Sequence, residues 1–312
     1  MIGFRFKRAR VPLLLAGAAF LTSCEGPTEP RLSSQNVLFT RWADGRAVMF
    51  AMREDGSGEI KLTRHPGSDQ CPRWSPDGRR IAFRSVRDTL IHEGLRERTS
   101  NIYLVEADGT GEVRLTGGPG PVGCPSWSPD GSRIVYWRSE PSGWENIFVI
   151  DADGTDEIRL TRDTVGNAFA EWSPDGSTIL FLRARDRAGY PRLYRMNPDG
   201  TGRQLFLDVC PLYVSNVRWS PDGSRIAFNC SGTENTLIHT VRTDGSDLST
   251  IGVAAARPPY TYDAVPVWSP DGRVLALSRK GDVMYADLLG GEVTRVTTDT
   301  LPEWPNDWRA ER

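Results

Sequence analysis

One five-residue string, WSPDG, occurs five times in this chain and constrains its fold more than any other feature. Regular self-similarity marks a repeat architecture, in which each unit buries its apolar face against its neighbours. A unit of about 40–50 residues has the length of a four-stranded propeller blade. The five copies begin 53, 45, 47 and 49 residues apart, at Trp74, Trp127, Trp172, Trp219 and Trp268.

Each repeat reads as four antiparallel strands, A to D, joined by short turns. Strand A ends at the tryptophan, and Ser-Pro-Asp-Gly then forms a turn in which proline fixes φ and glycine supplies a positive φ. Strand B is apolar on both faces, as in Ile81-Ala82-Phe83, which indicates a strand sandwiched between neighbouring blades. Strand C carries an aromatic residue followed by Asp-Gly, as at Tyr103 and Asp108, and strand D completes the unit.

The number of units predicts how the repeats close. The aromatic and Asp-Gly signal occurs six times, once before the first WSPDG copy, and that first unit has no strand A of its own. Trp308 lies 40 residues after Trp268, where a sixth strand A is expected. We therefore predict an all-β, six-bladed β-propeller of four-stranded antiparallel blades, closed by the C-terminal strand pairing into the N-terminal blade. This pairing removes the exposed edge of an open array.

The repeats resemble those of the TolB-like β-propeller family, whose blades carry WSPDG followed by an aromatic strand and Asp-Gly. The resemblance covers nearly all of residues 36–312. It implies a propeller of the cell envelope that works by binding other proteins. An α/β domain precedes the propeller in TolB, and we expect this chain to lack that domain.

The first 35 residues differ in composition from the repeats. A basic start is followed by a short apolar run and by Leu21-Thr22-Ser23-Cys24, which resembles a bacterial lipobox. Residues 1–23 are therefore predicted to be a lipoprotein signal peptide, and Cys24 the lipidated residue. An ordinary signal peptide with a chance cysteine is the alternative. Residues 24–35 are predicted to be a flexible tether to the propeller.

The predicted location is the bacterial cell envelope, where the protein is expected to be anchored to the membrane through the lipid on Cys24. Glu25 follows that cysteine in place of an aspartate, which favours the outer membrane facing the periplasm. The chain has 38 basic and 40 acidic residues, so it lacks the basic excess typical of a nucleic-acid partner. We expect a monomer.

Irregular sequence collects on one face of the predicted propeller. Because strands alternate in direction, the A–B and C–D turns share one face and the B–C and D–A loops share the other. The turns are uniform, whereas the loop face holds the irregular segments 87–98, 141–144, 185–190, 210–213 and 257–262. Loops on a rigid scaffold commonly bind partners. The alternative is that these loops are exposed to solvent and have no binding role. The candidate partner-binding residues of this face are His65, His92, Trp144, Tyr190, Tyr213, Arg257, Tyr260 and Tyr262.

The residue before each motif tryptophan is expected to approach the central channel. A ring of mixed charge there is compatible with a wet channel that holds a peptide or small polar ligand, and mutual pairing with water is the alternative. Arg73, Glu171 and Arg218 are therefore also partner-binding candidates. The six residues that precede the tryptophans are Arg73, Ser126, Glu171, Arg218, Val267 and Asp307.

Candidate catalytic chemistry is weak in this sequence. His239 occupies the aromatic position of a strand C and is expected to pack in the core. His65 and His92 lack a third ligand of defined spacing, so we predict no metal site and no cofactor. The chain has no GxSxG nucleophile elbow, and we predict no catalytic residue. A propeller enzyme of the polysaccharide lyase or hydrolase type, or a small-ligand sensor, remains the alternative to a non-catalytic binder of an envelope protein or peptide.

Four further cysteines would meet an oxidising compartment after export. Cys210 and Cys230 belong to the same blade and the same face, so they form the easier disulfide. Cys71 and Cys124 both stand three residues before a motif tryptophan. Their pairing requires equivalent points of adjacent blades to come within the ~7 Å Cα limit of a disulfide.

Overall fold

The computed structural model describes residues 36–92, 95–184, 190–210, 213–231, 236–255, 265–279, 281–298 and 301–310. The predicted signal peptide, the tether and Cys24 lie outside these residues, as do Arg257, Tyr260 and Tyr262. The described part of the chain forms six four-stranded antiparallel sheets and contains no helix. The predicted all-β propeller of six blades is thereby confirmed.

The strands follow one another blade by blade along the chain. Blade 1 takes β1 (Val37–Ala43), β2 (Arg46–Met52) and β3 (Ile60–Lys61) from the N-terminal side. Blade 2 comprises β4 (Ser68–Trp74), β5 (Arg80–His92), β6 (Leu95–Glu106) and β7 (Val113–Arg114). Blade 3 comprises β8 (Ser126–Trp127), β9 (Arg133–Ser139), β10 (Glu145–Asp151) and β11 (Ile158–Arg159).

The second half of the chain repeats this order and then returns to blade 1. Blade 4 comprises β12 (Asn167–Trp172), β13 (Ile179–Arg183), β14 (Arg192–Met196) and β15 (Gln204–Leu207). Blade 5 comprises β16 (Tyr213–Trp219), β17 (Arg225–Ser231), β18 (Thr236–Arg242) and β19 (Ser249–Ala255). Blade 6 comprises β20 (Val267–Trp268), β21 (Val274–Arg279), β22 (Asp282–Asp287) and β23 (Val293–Arg295), and β24 (Glu303–Trp308) is the last strand.

The C-terminal strand completes the N-terminal blade, as the spacing of Trp308 predicts. β24 pairs antiparallel with β1, with Val37 opposite Trp308 and Arg41 opposite Glu303. The Trp308 ring also stacks on Tyr285 of blade 6, with ring centroids 4.7 Å apart. The first and last described strands therefore close the ring within blade 1, and Trp308 of the last strand also contacts blade 6.

The hydrophobic core lies between blades. Ile81, Ala82 and Phe83 of β5 are fully buried, which confirms the prediction that strand B is covered on both faces. One cluster of buried residues packs Leu38 of blade 1 against Trp74 of blade 2. Because burying one such large apolar side chain contributes about 1.5–3 kcal/mol, each blade depends on its neighbours for much of its stability.

The segment 87–98, expected to be an irregular loop, is instead an extension of a β-hairpin. β5 and β6 remain paired to His92 opposite Leu95, after a register shift between Ser85 and Asp88. The expectation was wrong because the polar composition of this segment suggested a loop, whereas two strands that pair with each other need no apolar face to continue. His92 therefore lies in a strand, and its side chain is outside the described part of the structure.

The five Ser-Pro-Asp-Gly turns share one hydrogen-bond pattern, shown by the copy at Ser128. Its hydroxyl donates to Asp130 Oδ1 at 2.6 Å and accepts from the Arg133 N–H at 2.9 Å. Asp130 Oδ1 also accepts from the Ser132 N–H at 3.0 Å. Gly131 takes φ 71°, the left-handed conformation that glycine adopts without strain. The hydrogen bond from Ser128, with those from Ser132, lowers the pKa of Asp130 to about 2.

Charged hydrogen bonds centred on Arg41 connect the strands of blade 1 where the ring closes. The guanidinium of Arg41 lies over the Phe50 ring, 4.6 Å from its centroid. Its Nε donates to Glu303 Oε1 at 2.6 Å, and its Nη1 donates to Glu59 Oε1 at 2.6 Å. Glu303 is fully buried, so this bond joins β24 to β1 in a low-dielectric setting. Equivalent arginines cover the strand C aromatic rings of the next three blades: Arg87, Arg138 and Arg183.

We expect stability to decline in acid because the turn aspartates titrate below their ordinary pKa. Their folded pKa lies below the unfolded one, so their contribution is present above about pH 4 and is lost as the pH falls through the folded pKa. For Asp130 that folded pKa is about 2. The thermal unfolding midpoint, measured by calorimetry, should fall between about pH 4 and pH 2. Asp130→Asn should make this decline shallower, and Glu292→Gln, at an exposed carboxylate, should leave it unchanged.

We expect Glu303→Gln to lower the free energy of unfolding by about 2 kcal/mol. The loss should be smaller than for an isolated buried pair because Glu59 still faces Arg41. Urea unfolding of the full chain measures this change. Glu292→Gln, the exposed control, should alter the value by less than about 0.5 kcal/mol. Equal values for the two variants would show that the Arg41–Glu303 contact does not stabilise the closure.

Candidate functional site

The residue before a motif tryptophan joins the inner strands of successive blades at three places in the ring. The Trp74 N–H donates to Asp307 Oδ2 of the preceding blade at 2.6 Å. In the same way, the Trp172 N–H donates to Ser126 Oγ at 3.2 Å. The Trp219 N–H donates to Glu171 Oε1 at 3.2 Å. Asp307, Ser126 and Glu171 therefore each link their own blade to the next one.

The charged members of this ring also pair with one another. Arg218 Nη1 donates to Glu171 Oε2 at 2.8 Å, and Arg73 Nη2 lies 3.7 Å from the same oxygen. Burial, together with the charge of Arg73, lowers the pKa of Arg218 to about 10, so it remains protonated at neutral pH. Burial raises the pKa of Asp307. The sequence left two interpretations of this ring open, a wet channel that holds a ligand and mutual pairing of its charges. The bonds of Glu171 fit mutual pairing.

A second ring is formed by the residues three positions before the motif tryptophans. Cys71, Phe169 and Asn216 have φ of 55°, 52° and 51°, a left-handed conformation that is uncommon outside glycine. Each lies where the pairing register of strand A with strand B shifts. The equivalent residues of blades 3 and 6 are Cys124 and Val265. All five line one cavity on the propeller axis.

This cavity has a volume of about 350 Å³ and receives residues from all six blades. It opens on the B–C and D–A face, because Trp42 lies beside the turn between β1 and β2 and Tyr213 begins β16. Arg73 and Arg218 line its deeper part, where strand A approaches the tryptophan. Its aromatic lining consists of Trp42, Phe169, Tyr213 and Trp304.

The structure brings together only some of the predicted partner-binding residues. Tyr213, Arg73 and Arg218 line the cavity, whereas Glu171 is bound to its neighbours. The other described candidates stand apart from the cavity lining: His65 is exposed after β3, Trp144 is half-buried in a B–C turn, and Tyr190 is exposed.

Three aromatic cavity residues were not predicted from the sequence. Phe169 lies three residues before Trp172, so the offset already noted for Cys71 and Cys124 would have found it, whereas Trp304 lies four residues before Trp308. Trp42 stands beside the two-residue turn Asp44-Gly45, where both φ angles are positive. Asp-Gly is typical of a tight two-residue hairpin turn. Because the sequence predicts a short turn and no irregular loop here, Trp42 was not among the predicted binding residues.

Both cysteine pairs lie at disulfide distance. The Cα atoms of Cys71 and Cys124 are 5.4 Å apart, and those of Cys210 and Cys230 are 5.5 Å apart. The first pair bridges blades 2 and 3 because the left-handed backbone at Cys71 turns this residue toward the axis, where adjacent blades converge. Both of its cysteines line the cavity.

The histidine and acidic residues of the described part form no metal-binding group. No set of three or more His, Cys, Asp or Glu side chains converges among the residues that the structure describes. The His239 ring stacks on Phe228, with centroids 5.5 Å apart, and is half-buried, and burial lowers its pKa. No helix long and apolar enough to span a bilayer occurs in the described ranges.

Solved structures share this fold. TolB from Acinetobacter baumannii superposes with a TM-score of 0.72 at 19% identity, over 88% of this chain and 66% of that one. An oligogalacturonate lyase from Vibrio parahaemolyticus superposes with a TM-score of 0.57 at 16% identity, over 85% and 75% of the two chains. At these identities the likeness concerns the fold alone.

Sequence comparison identifies the family. The Tol-Pal system protein TolB of Geobacter sulfurreducens is 30% identical over 86 residues, 28% of this chain and 18% of that protein. The matches to four curated relatives cover between 11% and 36% of those proteins' own lengths. The model of the TolB beta propeller domain matches residues 90–282, more than half of the chain. This chain therefore belongs to the TolB beta-propeller domain family.

Proposed function

We propose that this chain is a non-catalytic envelope protein whose propeller binds a protein or peptide partner at the B–C and D–A face and the channel mouth. The observation that carries the proposal is the axial cavity, whose lining gathers Trp42, Phe169, Tyr213 and Trp304. Trp42 and Tyr213 remain 39% and 38% exposed in the folded chain. Large aromatic side chains around a concave, partly dry site are typical of binding hot spots.

The uniformity of the opposite face supports this choice of surface. That face carries the five Ser-Pro-Asp-Gly turns, whose side chains are occupied by hydrogen bonds within each turn. The cavity face instead differs from blade to blade in residue type. A partner needs such differences to bind in one orientation on a six-fold repeated scaffold.

We also propose that the protein is held at the outer membrane by a lipid on Cys24, facing the periplasm as a monomer. The lipobox-like sequence ending at Cys24 supports this anchor, as does the resemblance to an envelope family. Residues 1–23 would then be removed as a signal peptide, and residues 24–35 would link the lipid to the propeller.

Replacing the cavity aromatics should weaken partner binding. We expect Trp42→Ala and Tyr213→Ala each to lower affinity by roughly tenfold or more, because each removes a large apolar surface at the mouth. The measurement is quantitative co-purification from envelope extract with the full chain as bait. Leu289→Ala, which removes an 83% exposed side chain on the opposite face, is the control. Equal capture by all variants would remove the cavity mouth as the binding surface.

Cys24→Ser should abolish lipid attachment. We expect cells grown with labelled palmitate to label the unaltered chain and the control variant Glu25→Gln, but not Cys24→Ser, because the thiol carries the acyl group. The variant protein should also leave the membrane fraction, since the acyl chains provide the membrane affinity. Labelling of Cys24→Ser would show that the lipid is attached elsewhere.

A further inference from the structure

The deep end of the cavity holds buried polar atoms without partners. The residues Arg73 and Asn306 are 9% and 7% exposed, and both line the cavity. Arg73 Nε, Arg218 Nε and Asn306 Oδ1 have no hydrogen-bond partner among the residues that the structure describes. Buried polar groups in folded proteins are almost always satisfied, and these three atoms cluster on residues that line one cavity, which marks a place where a ligand group or water completes the bonding.

The chemistry of these atoms is mainly that of donors. Arg73 Nη1 is already bound to the Asn306 carbonyl oxygen at 2.9 Å. Arg218 Nη1 donates to Glu171 Oε2 at 2.8 Å and to the Val217 carbonyl oxygen at 2.8 Å. The Nε–H of each guanidinium therefore still lacks an acceptor. Guanidinium groups bind planar carboxylates especially well, because two parallel N–H groups match the two carboxylate oxygens.

The acidic residues nearby do not cancel this donor character at the cavity surface. Glu171 accepts from Arg218 and from the Trp219 N–H, and Asp307 accepts from the Trp74 N–H at 2.6 Å and the Trp308 N–H at 3.0 Å. Neither acid lines the cavity. Because these two carboxylates balance much of the arginine charge, the site suits a monoanion better than a dianionic phosphate.

The walls above these donors are largely apolar. Phe169, Val265 and Trp304 surround the axis between the arginines and the mouth. A ligand that reaches the arginines must therefore place an apolar body against these side chains. The volume of about 350 Å³ lies within the usual range for small-molecule sites.

We propose that this cavity binds a carboxylate carried on an apolar body, with the carboxylate on Arg73 and Arg218 and the body between Phe169, Val265 and Trp304. This inference rests on the proposed function, since it specifies what the partner inserts at the channel mouth. A free carboxylic acid and the C-terminal residue of a peptide both present this chemistry.

Two matched pairs of probes test the proposal on the purified full-length chain by isothermal titration calorimetry. The first pair is 4-phenylbutyrate and its neutral analogue 4-phenylbutyramide. The second is the peptide acetyl-Gly-Gly-Leu with a free C-terminal carboxylate and the same peptide as its C-terminal amide. We expect each acid to bind at least about tenfold more tightly than its amide, because only the acid forms charge-assisted hydrogen bonds.

Substitution of one arginine then locates the effect. Arg218→Gln should remove the difference between acid and amide, whereas Arg279→Gln, at an exposed arginine away from the cavity, should preserve it. Arg218→Gln also removes a partner of Glu171, so thermal unfolding must show that the variant folds. The comparison of acid with amide in the unaltered chain stands without any substitution.

The outcomes separate this inference from the proposed function. Equal binding of acid and amide, or no binding of any probe, overturns the carboxylate site, and partner capture that depends on Tyr213 would then still support the proposed function. Tight binding of the acids without any captured partner supports the site and counts against a protein partner. A tighter peptide acid identifies a chain terminus as the source, and a tighter phenylbutyrate identifies a free acid.

Discussion

The backbone N–H of the motif tryptophan is the group that links three of the six blades to their neighbours by a hydrogen bond. In blades 2, 4 and 5 it finds its acceptor on a side chain of the preceding blade, such as Asp307 for Trp74. A buried N–H left without an acceptor costs about 1–3 kcal/mol. Neighbouring blades are thus coupled by directional bonds as well as by the apolar core between them. One of these acceptors, Glu171, also binds Arg218, which lines the cavity, so the bonds that join the blades and the chemistry of the cavity are coupled.

The cavity exists because the backbone bends inward three residues before the motif tryptophan. A left-handed conformation costs a non-glycine residue roughly 1–2 kcal/mol, and Cys71, Phe169 and Asn216 adopt it at equivalent positions. The shift of register there brings side chains to the axis that a regular strand would direct elsewhere. Arg73 and Arg218, both paired with Glu171, line the deep end, so the cavity has an aromatic mouth and a polar end.

Sequence periodicity predicted the architecture but only part of the cavity. The position of Trp308 followed from the repeat length, and the Ser-Pro-Asp-Gly turns followed from proline and glycine chemistry. Cys71, Phe169 and Asn216 share no residue type, so no local preference signals their common left-handed backbone. The extension of β5 and β6 was missed because two mutually paired strands can be polar on both faces. The arginines over the aromatic rings have a readable signal, an aromatic residue two positions earlier, at Phe39 and Arg41 and again at Tyr136 and Arg138.

The course of the first strand determines on which face of the propeller the described chain enters the ring. β1 enters the ring at Val37, beside Trp308 on the face of the uniform turns, and seven residues later reaches the turn beside Trp42. At about 3.3 Å per residue, these two points are some 20 Å apart. The chain therefore enters the propeller on the face of the uniform turns, on the side opposite to the mouth of the cavity.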